Sequence, residues 1–246
     1  MLAAALVSAC APATARRTAS GGPTRTPVGS ALTPPTGTPP GRPGGPAVEI
    51  GHGPRTTAAV ALTFHGAGDP ALARALLGEA ERAGGRVTVL AVGSWLDANP
   101  SMARRILDGG HDLGNHTQTH QPMLQLDAAA CDREIVGCRQ VLQRLTGGPG
   151  RWFRPSGTAH ANSIIEAAAG RAGYRNTLSY DVDPQDYTDP GAKAVVERTL
   201  AAVTNGSIVS LHLGHAGTVA ALPAILTGLD TRGLRAVTVS HLLGYR

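Results

Sequence analysis

The chain has 246 residues, of which 42% are hydrophobic, which is enough for one buried core of about 200 residues with an appendage. Its net charge is +5, but the first fifty residues carry four arginines against one glutamate, which leaves +2 for the rest. Because that remainder is only weakly basic and aromatic residues make up 3% of the chain, the composition excludes nucleic acid as a partner.

The N-terminal fifty residues have the composition of a tether. Residues 1–10 are apolar and end in Val7-Ser8-Ala9-Cys10, which resembles a bacterial lipobox without its charged leading region. Residues 11–50 hold nine of the 18 prolines and predict a disordered linker that packs against nothing. We therefore expect a signal remnant over 1–10, a linker over 11–50 and a folded domain over 51–246. The domain would be secreted or held at the outer face of the membrane by a lipid on Cys10; an ordinary flexible terminus is the alternative.

The remainder alternates predicted strands and helices. The strands are expected at 57–64, 86–92, about 111–113, 152–154, 173–178, 207–212 and 234–239. Helices are expected at 70–83, 127–145, 163–172, 190–203 and 219–229. One more helix is expected between the second and third strands, with Met102, Ile106 and Leu107 on one of its sides. This alternation predicts an α/β fold with a parallel sheet or barrel. Cys131 and Cys138 share one predicted helix about 10 Å apart, too far for a disulfide.

His116 and His120 form the first candidate site. On a helical turn their spacing would place both imidazoles on one face, where they could bind one metal ion. A turn with two exposed histidines is the alternative for the pair alone. The pair directly follows a predicted strand, which is where α/β folds place their chemistry.

Polar residues also follow four other predicted strands. They are His65 with Asp69, Arg154, the acidic run Asp181, Asp183 and Asp186, and His212. Such regular placement indicates a ring of loops around one pocket. The other histidines are expected at the surface or at caps, with contact to the pocket open only for His215; they are His52, His111, His160 and His241.

Five short motifs together resemble the polysaccharide deacetylases of carbohydrate esterase family 4, which carry the NodB homology domain. They are Thr63-Phe64, Asn115 to His120, Phe153 to Gly157, Asp183 to Tyr187, and Leu211-His212, in the family's order. The resemblance covers about residues 57–245. It implies a distorted (β/α)7-type barrel.

The same resemblance implies metal-dependent removal of N-acetyl, or O-acetyl, groups from a polysaccharide such as peptidoglycan or a chitin-like glycan. The family binds a divalent ion, commonly Zn²⁺ with Co²⁺ as an alternative, through one Asp and two His, here His116 and His120. By resemblance His212 is the general acid, Asp186 orients it or favours its charged form, and Arg154 holds the base. The implied substrate pocket contains Tyr187 and Leu211, with Ser156 or Gly157 where the family has tyrosine.

The first motif departs from the family. His65 stands where the base Asp is expected, and Gly66 stands where the metal-binding Asp is expected. The nearest carboxylate is Asp69, which we expect to turn inward as either ligand or base, with His65 beside the attacking water. If Asp69 instead caps the following helix, the favoured alternative is a degenerate barrel that binds glycan or metal without turnover.

Overall fold

The computed structural model describes residues 44–245, so the predicted lipid site at Cys10 and most of the predicted linker lie outside the described residues. The strands are β1 Val48–Ile50, β2 Ala59–Gly66, β3 Thr88–Ala91, β4 Asp112–Asn115, β5 Asn176–Leu178, β6 Ile208–His212 and β7 Arg235–Val237. The helices are α1 Pro70–Arg82, α2 Gly93–Ala98, α3 Ser101–Asp108, α4 Ala128–Thr146, α5 Ser163–Arg171, α6 Ala192–Ala202, α7 Ala216–Thr231 and α8 Val239–Leu242. Within residues 44–245, none of these helices combines the length and apolar character needed to cross a bilayer.

Most predicted elements are confirmed, with their ends shifted by a few residues. The predicted strand at 152–154 is reduced to a bridge at Phe153, which pairs with both Asn115 and Thr177. The short helices α2 and α8 were not predicted. Leu107 is 37% exposed, so its expected place beside Met102 and Ile106 on the buried side of α3 is wrong.

The strands form a parallel, distorted barrel. The main sheet has the order β4-β3-β2-β6, with β7 also pairing with β2, and β1 pairs with β5 in a smaller sheet. Bridges at Phe153 and at Val182 link strand segments beyond these sheets. In the register of the main sheet His65 lies opposite His212, and Ala91 lies opposite Asn115. The carboxyl ends of β2, β4 and β6 therefore open on one mouth.

The predicted linker ends earlier than expected. Val48 to Ile50 pair in parallel with Asn176 to Leu178, and Ala47 and Ile50 are buried in the core. The expectation that all residues up to 50 pack against nothing is therefore wrong for the last few of them. The strand exists because β5 supplies its hydrogen bonds, which the local Pro/Gly-rich composition does not show.

Local signals fix the helix ends around the barrel. Asp127 caps α4 by accepting the Ala130 N–H at 2.7 Å, and Gly147 ends it at φ 79°, a left-handed conformation that favours glycine. Cys131 and Cys138 are free thiols, and both are buried on α4.

Candidate active site

Four imidazoles meet at the mouth of the barrel. His65 is the last residue but one of β2 and His212 ends β6, while His116 and His120 follow β4. The ring centroids lie 4.1 Å apart for His65 and His116, 4.4 Å for His65 and His212, and 4.9 Å for His116 and His120. The predicted convergence of these strand ends is confirmed.

The segment between His116 and His120 is not helical, so the expected helical turn is wrong although the two rings do meet. Thr117 and His120 have φ values of 69° and 62°, in the left-handed region that few non-glycine residues adopt. Two side chains hold this turn. Asn115 Oδ1 accepts the Thr117 N–H at 2.8 Å, and the buried Glu134 carboxylate accepts the Thr119 N–H at 2.8 Å.

A single chain of hydrogen bonds runs through two of the imidazoles. Arg154 Nη1 lies 3.3 Å from His65 Nε2, His65 Nδ1 lies 2.9 Å from His212 Nε2, and His212 Nδ1 lies 2.7 Å from Asp186 Oδ1. Arginine only donates and a carboxylate only accepts, so both tautomers follow from the ends of the chain. His65 accepts at Nε2 and donates from Nδ1; His212 accepts at Nε2 and donates from Nδ1 to Asp186.

Asp186 is almost fully buried and is held at both oxygens. Its Oδ2 accepts the backbone N–H of His212 at 2.8 Å and the hydroxyl of Thr218 at 2.6 Å. Thr218 was missed in the sequence because it lies on α7, 32 residues away in the chain. The predicted pairing of His212 with Asp186 is present in this geometry.

Arg154 lies fully buried beneath the cluster. Its Nη1 donates to Thr63 Oγ1 at 2.8 Å, and its other nitrogens donate to the carbonyls of Leu178 and Ser179 at 2.9 Å each. Burial lowers the pKa of Arg154 to about 9. Arg154 was predicted to hold the catalytic base, and it does contact His65, which stands at the position of the base. His65, however, carries no negative charge.

His65 has no nitrogen lone pair facing the mouth in this arrangement. Burial, followed by the neighbouring His116, holds the pKa of His65 well below its ordinary value. His65 therefore reaches the site as predicted, but its acceptor atom is turned toward Arg154 rather than toward a water molecule.

His116 offers the atom best suited to a metal ion. Its Nδ1 lies 3.0 Å from the Arg154 carbonyl and must donate to it, which leaves the Nε2 lone pair free. Nε2 is buried and has no hydrogen-bond partner in the structure. Burial, with His120 as the next cause, lowers the pKa of His116 well below its ordinary value, which keeps this ring neutral as metal binding requires.

Asp69, the expected third metal ligand, does not reach the imidazoles. Asp69 is exposed and caps α1, accepting the Ala71 N–H at 2.8 Å directly before Pro70, so the expectation that it turns inward is not met. Within residues 44–245 no three His, Cys, Asp or Glu side chains are arranged to hold a metal ion. His116 and His120 thus fit such an ion, but as two ligands rather than the usual three.

The predicted substrate-pocket residues separate into two groups. Tyr187 is 48% exposed, with its ring 5.4 Å from that of His212, so it does border the mouth. Leu211 is fully buried in the core with Phe64, and its expected place in the pocket is wrong because alternate strand residues face opposite sides.

Two residues of the third motif contact the segment from Thr117 to Pro122. Ser156 is buried, and its hydroxyl donates to the Gln121 carbonyl at 2.5 Å. Gly157 adopts φ 69° against Pro122. These two residues fix the far side of the His116–His120 turn.

Other acidic and histidine residues have structural partners. Asp181 pairs with Arg55 at 2.8 Å, away from the imidazoles. His111, expected at the surface, is buried against Glu81 at 3.0 Å. His215 bonds Asp189 at 2.8 Å. Asp183 accepts the Gln185 N–H, and the remaining expected surface histidines are exposed: His52, His160 and His241.

The fold and the site together define the class: a parallel α/β barrel whose strand ends carry imidazoles and a His–Asp pair, groups suited to acid–base and metal chemistry. The family model for polysaccharide deacetylase matches residues 52–177. A peptidoglycan-N-acetylglucosamine deacetylase of Bacillus cereus is 31% identical over 197 residues, covering 78% of this chain and 92% of that protein. The chain therefore belongs to the polysaccharide deacetylase family.

Further relatives have the same fold. A family 4 carbohydrate esterase from Streptomyces lividans, solved with acetate, is 30% identical, with a TM-score of 0.68 and coverage of 73% of this chain and 91% of that one. BA3943 of Bacillus anthracis, a family 4 pseudoenzyme, has a TM-score of 0.75 at 23% identity, covering 80% and 69%, which shows the fold alone. The predicted (β/α)7-type barrel is confirmed. Some relatives are much longer: the match spans 40% of PgdA from Listeria monocytogenes.

Proposed function

We propose that the chain hydrolyses acetyl groups on an N-acetylated cell-wall glycan, the substrate class for which several relatives are named. The observation that carries this proposal is the His212–Asp186 pair at 2.7 Å, which opens on the same mouth as His116 and His120. A general acid and a divalent ion are two groups that accelerate the hydrolysis of an amide or ester. O-acetyl esters are the second acetyl group that this site would take.

The hydrogen bonds of His212 define which of its two ring nitrogens can deliver a proton. Because His212 Nδ1 donates to Asp186, the proton delivered to the leaving nitrogen or oxygen must come from Nε2. In the structure Nε2 accepts from His65 Nδ1 at 2.9 Å. His65 must therefore turn away before His212 Nε2 can take up a proton, which the attacking water releases and the leaving group finally receives. Asp186 stabilises the ring while it is charged.

We also propose that His116 and His120 hold a divalent ion, Zn²⁺ or Co²⁺. When bound, such an ion would polarise the acetyl carbonyl and lower the pKa of its water. Two protein ligands are one fewer than a catalytic zinc site normally has, so we expect weaker binding than in a relative with three. Tyr187, exposed beside His212, would contact the acetylated sugar.

The cellular location is part of the proposal. A glycan substrate of the cell wall would place the domain outside the cytoplasm, secreted or anchored by a lipid on Cys10, in agreement with the lipobox-like residues at 7–10.

A second candidate is a barrel that binds acetylated glycan without turnover. It is favoured by the capping role of Asp69 and by the lack of a third ligand among the described residues. Under this hypothesis Arg154, His65 and His212 form a static network, and the mouth recognises sugar only.

The experiment measures acetate released from acetylated chito-oligosaccharide and from peptidoglycan. The protein is assayed as purified, after chelation and after reloading with zinc, and bound metal is quantified each time. We expect His212→Ala to lower turnover by about a hundredfold or more, the usual effect of losing a general acid, with metal content unchanged. His160→Ala, at an exposed histidine paired with Glu49 at 2.8 Å, is the control. Absence of acetate with saturable glycan binding would favour the second candidate.

A further inference from the structure

The end of the barrel opposite the imidazoles contains a polar cavity of about 520 Å³. It lies at the start of β5, where Asn176 is the first residue, and at Trp152, two residues before Arg154 in the chain. Its other principal side chains are Arg151, Arg175 and Tyr245. A volume of this order falls in the range of small-molecule sites.

The charge in this cavity is positive and uncompensated. Arg151 and Arg175 are exposed, and neither forms a salt bridge with a carboxylate in the part of the chain that the structure describes. No acidic residue lies among those described as lining the cavity. An anion entering it would therefore approach two arginines without displacing a carboxylate.

The Arg151 side chain and the backbone of Arg175 are held by their surroundings. The Arg151 guanidinium carbon lies 4.6 Å from the Tyr245 ring centroid, and the Tyr245 ring meets Trp152 edge-to-face at 5.4 Å. The Arg175 carbonyl accepts the Val48 N–H at 3.0 Å, which ties its backbone to β1. The contact of Arg151 with Tyr245 reduces the side-chain entropy that Arg151 loses on binding a ligand.

We propose that this cavity, defined by Arg151, Arg175 and Asn176, binds a phosphate monoester of about monosaccharide size. Guanidinium groups match the geometry of phosphate and donate two parallel hydrogen bonds to it. Asn176 Nδ2 donates to the Val48 carbonyl at 3.0 Å, which leaves its second N–H for the ligand. The site is separate from the acetyl-hydrolysing mouth and does not depend on the function proposed for it.

A second cavity of about 620 Å³ offers a contrast. It is also lined by two arginines, Arg86 and Arg235, but Asp230 lines it as well. A carboxylate in the lining repels an anion, so the cavity at Arg151 is the better phosphate site.

Isothermal titration of the full chain would test this with glucose 6-phosphate, inorganic phosphate, glucuronate and glucose, each up to about 10 mM, above the Kd of a millimolar site. We expect saturable binding of glucose 6-phosphate and phosphate, weaker binding of glucuronate and none of glucose. Arg151→Gln and Arg175→Gln should each weaken glucose 6-phosphate binding by about tenfold or more, since each loses hydrogen bonds between charged groups. His212→Ala should leave it unchanged.

Arg104→Gln is the charge-matched control, because Arg104 is exposed on α3 outside the cavity lining. Circular dichroism and thermal unfolding would verify that each variant is folded. Equal weakening by Arg104→Gln would show unspecific attraction and overturn the site. The proposal is also overturned if glucose 6-phosphate does not bind, or if glucuronate binds as tightly.

Discussion

Substitutions of Asp69 can distinguish its role as a helix cap from a role as a metal ligand. The Asp69 carboxylate accepts the Ala71 N–H at 2.8 Å, and the side chain is exposed. Losing such a cap costs about 1 kcal/mol of folding free energy, within a range of roughly 0.5–2. For a domain of about 200 residues this corresponds to a fall in Tm of roughly 2–4 °C. We therefore expect Asp69→Ala to lower the unfolding midpoint by this amount, with bound metal and acetate release unchanged in the folded protein.

Asp69→Asn is the decisive companion, because asparagine caps a helix as well as aspartate but is a poor substitute for a carboxylate ligand. It should restore stability close to that of the wild type. Asp127→Ala is the matched control: it removes the same kind of cap from α4, where Asp127 accepts the Ala130 N–H at 2.7 Å, and should cost a similar amount.

The assays are urea and thermal unfolding together with metal content and acetate release. If Asp69→Asn is as stable as the wild type but loses metal or turnover, Asp69 reaches the imidazoles in solution. That result would refute the conclusion that Asp69 acts mainly as a helix cap.

Two further predictions concern stability. A Cβ at Gly66 would lie 2.9 Å from Ala91 Cα, so Gly66→Asp should destabilise the fold by about 1–3 kcal/mol in urea unfolding, and Gly66→Ala similarly if the cause is steric. Burial lowers the pKa of His111 despite its bond to Glu81 at 3.0 Å. The unfolded chain therefore takes up this proton first, and stability should fall as pH drops below about 6.5. His111→Gln should make the urea unfolding midpoint depend less on pH around and below 6.5. If the midpoint of this variant falls as steeply with pH as that of the wild type, His111 is not the cause.

Local patterns predicted the elements that depend on local sequence. The strand around Leu62 and Phe64 and the long helix after Asp127 are found where hydrophobic pattern and cap residues placed them. Strand β1 was missed because its pairing with Asn176 joins segments 128 residues apart. The strand alternation rule could have excluded Leu211 from the pocket, since His212 next to it faces the mouth.

The sequence predicted which residues form the site better than it predicted how they are arranged. The meeting of His116 and His120 was expected from a helical turn, but it depends on left-handed backbone at Thr117 and on Glu134, which the spacing alone cannot show. The hydrogen bond between His65 and His212 follows from the register of two strands 147 residues apart, and that register is set by the whole sheet.

The altered first motif changes the electrostatics of the site as well as its ligands. By resemblance to the family, two carboxylates should lie here; His65 and Gly66 bring none, while Arg154 stays buried with only neutral partners. A buried charge without a counterion is costly, which agrees with the lowered pKa of Arg154, about 9. The positive charge of Arg154, which adds to burial in lowering the pKa of His116, opposes a divalent cation at that residue. Metal affinity, rather than the presence of the imidazoles, therefore decides between a hydrolase and a glycan-binding barrel.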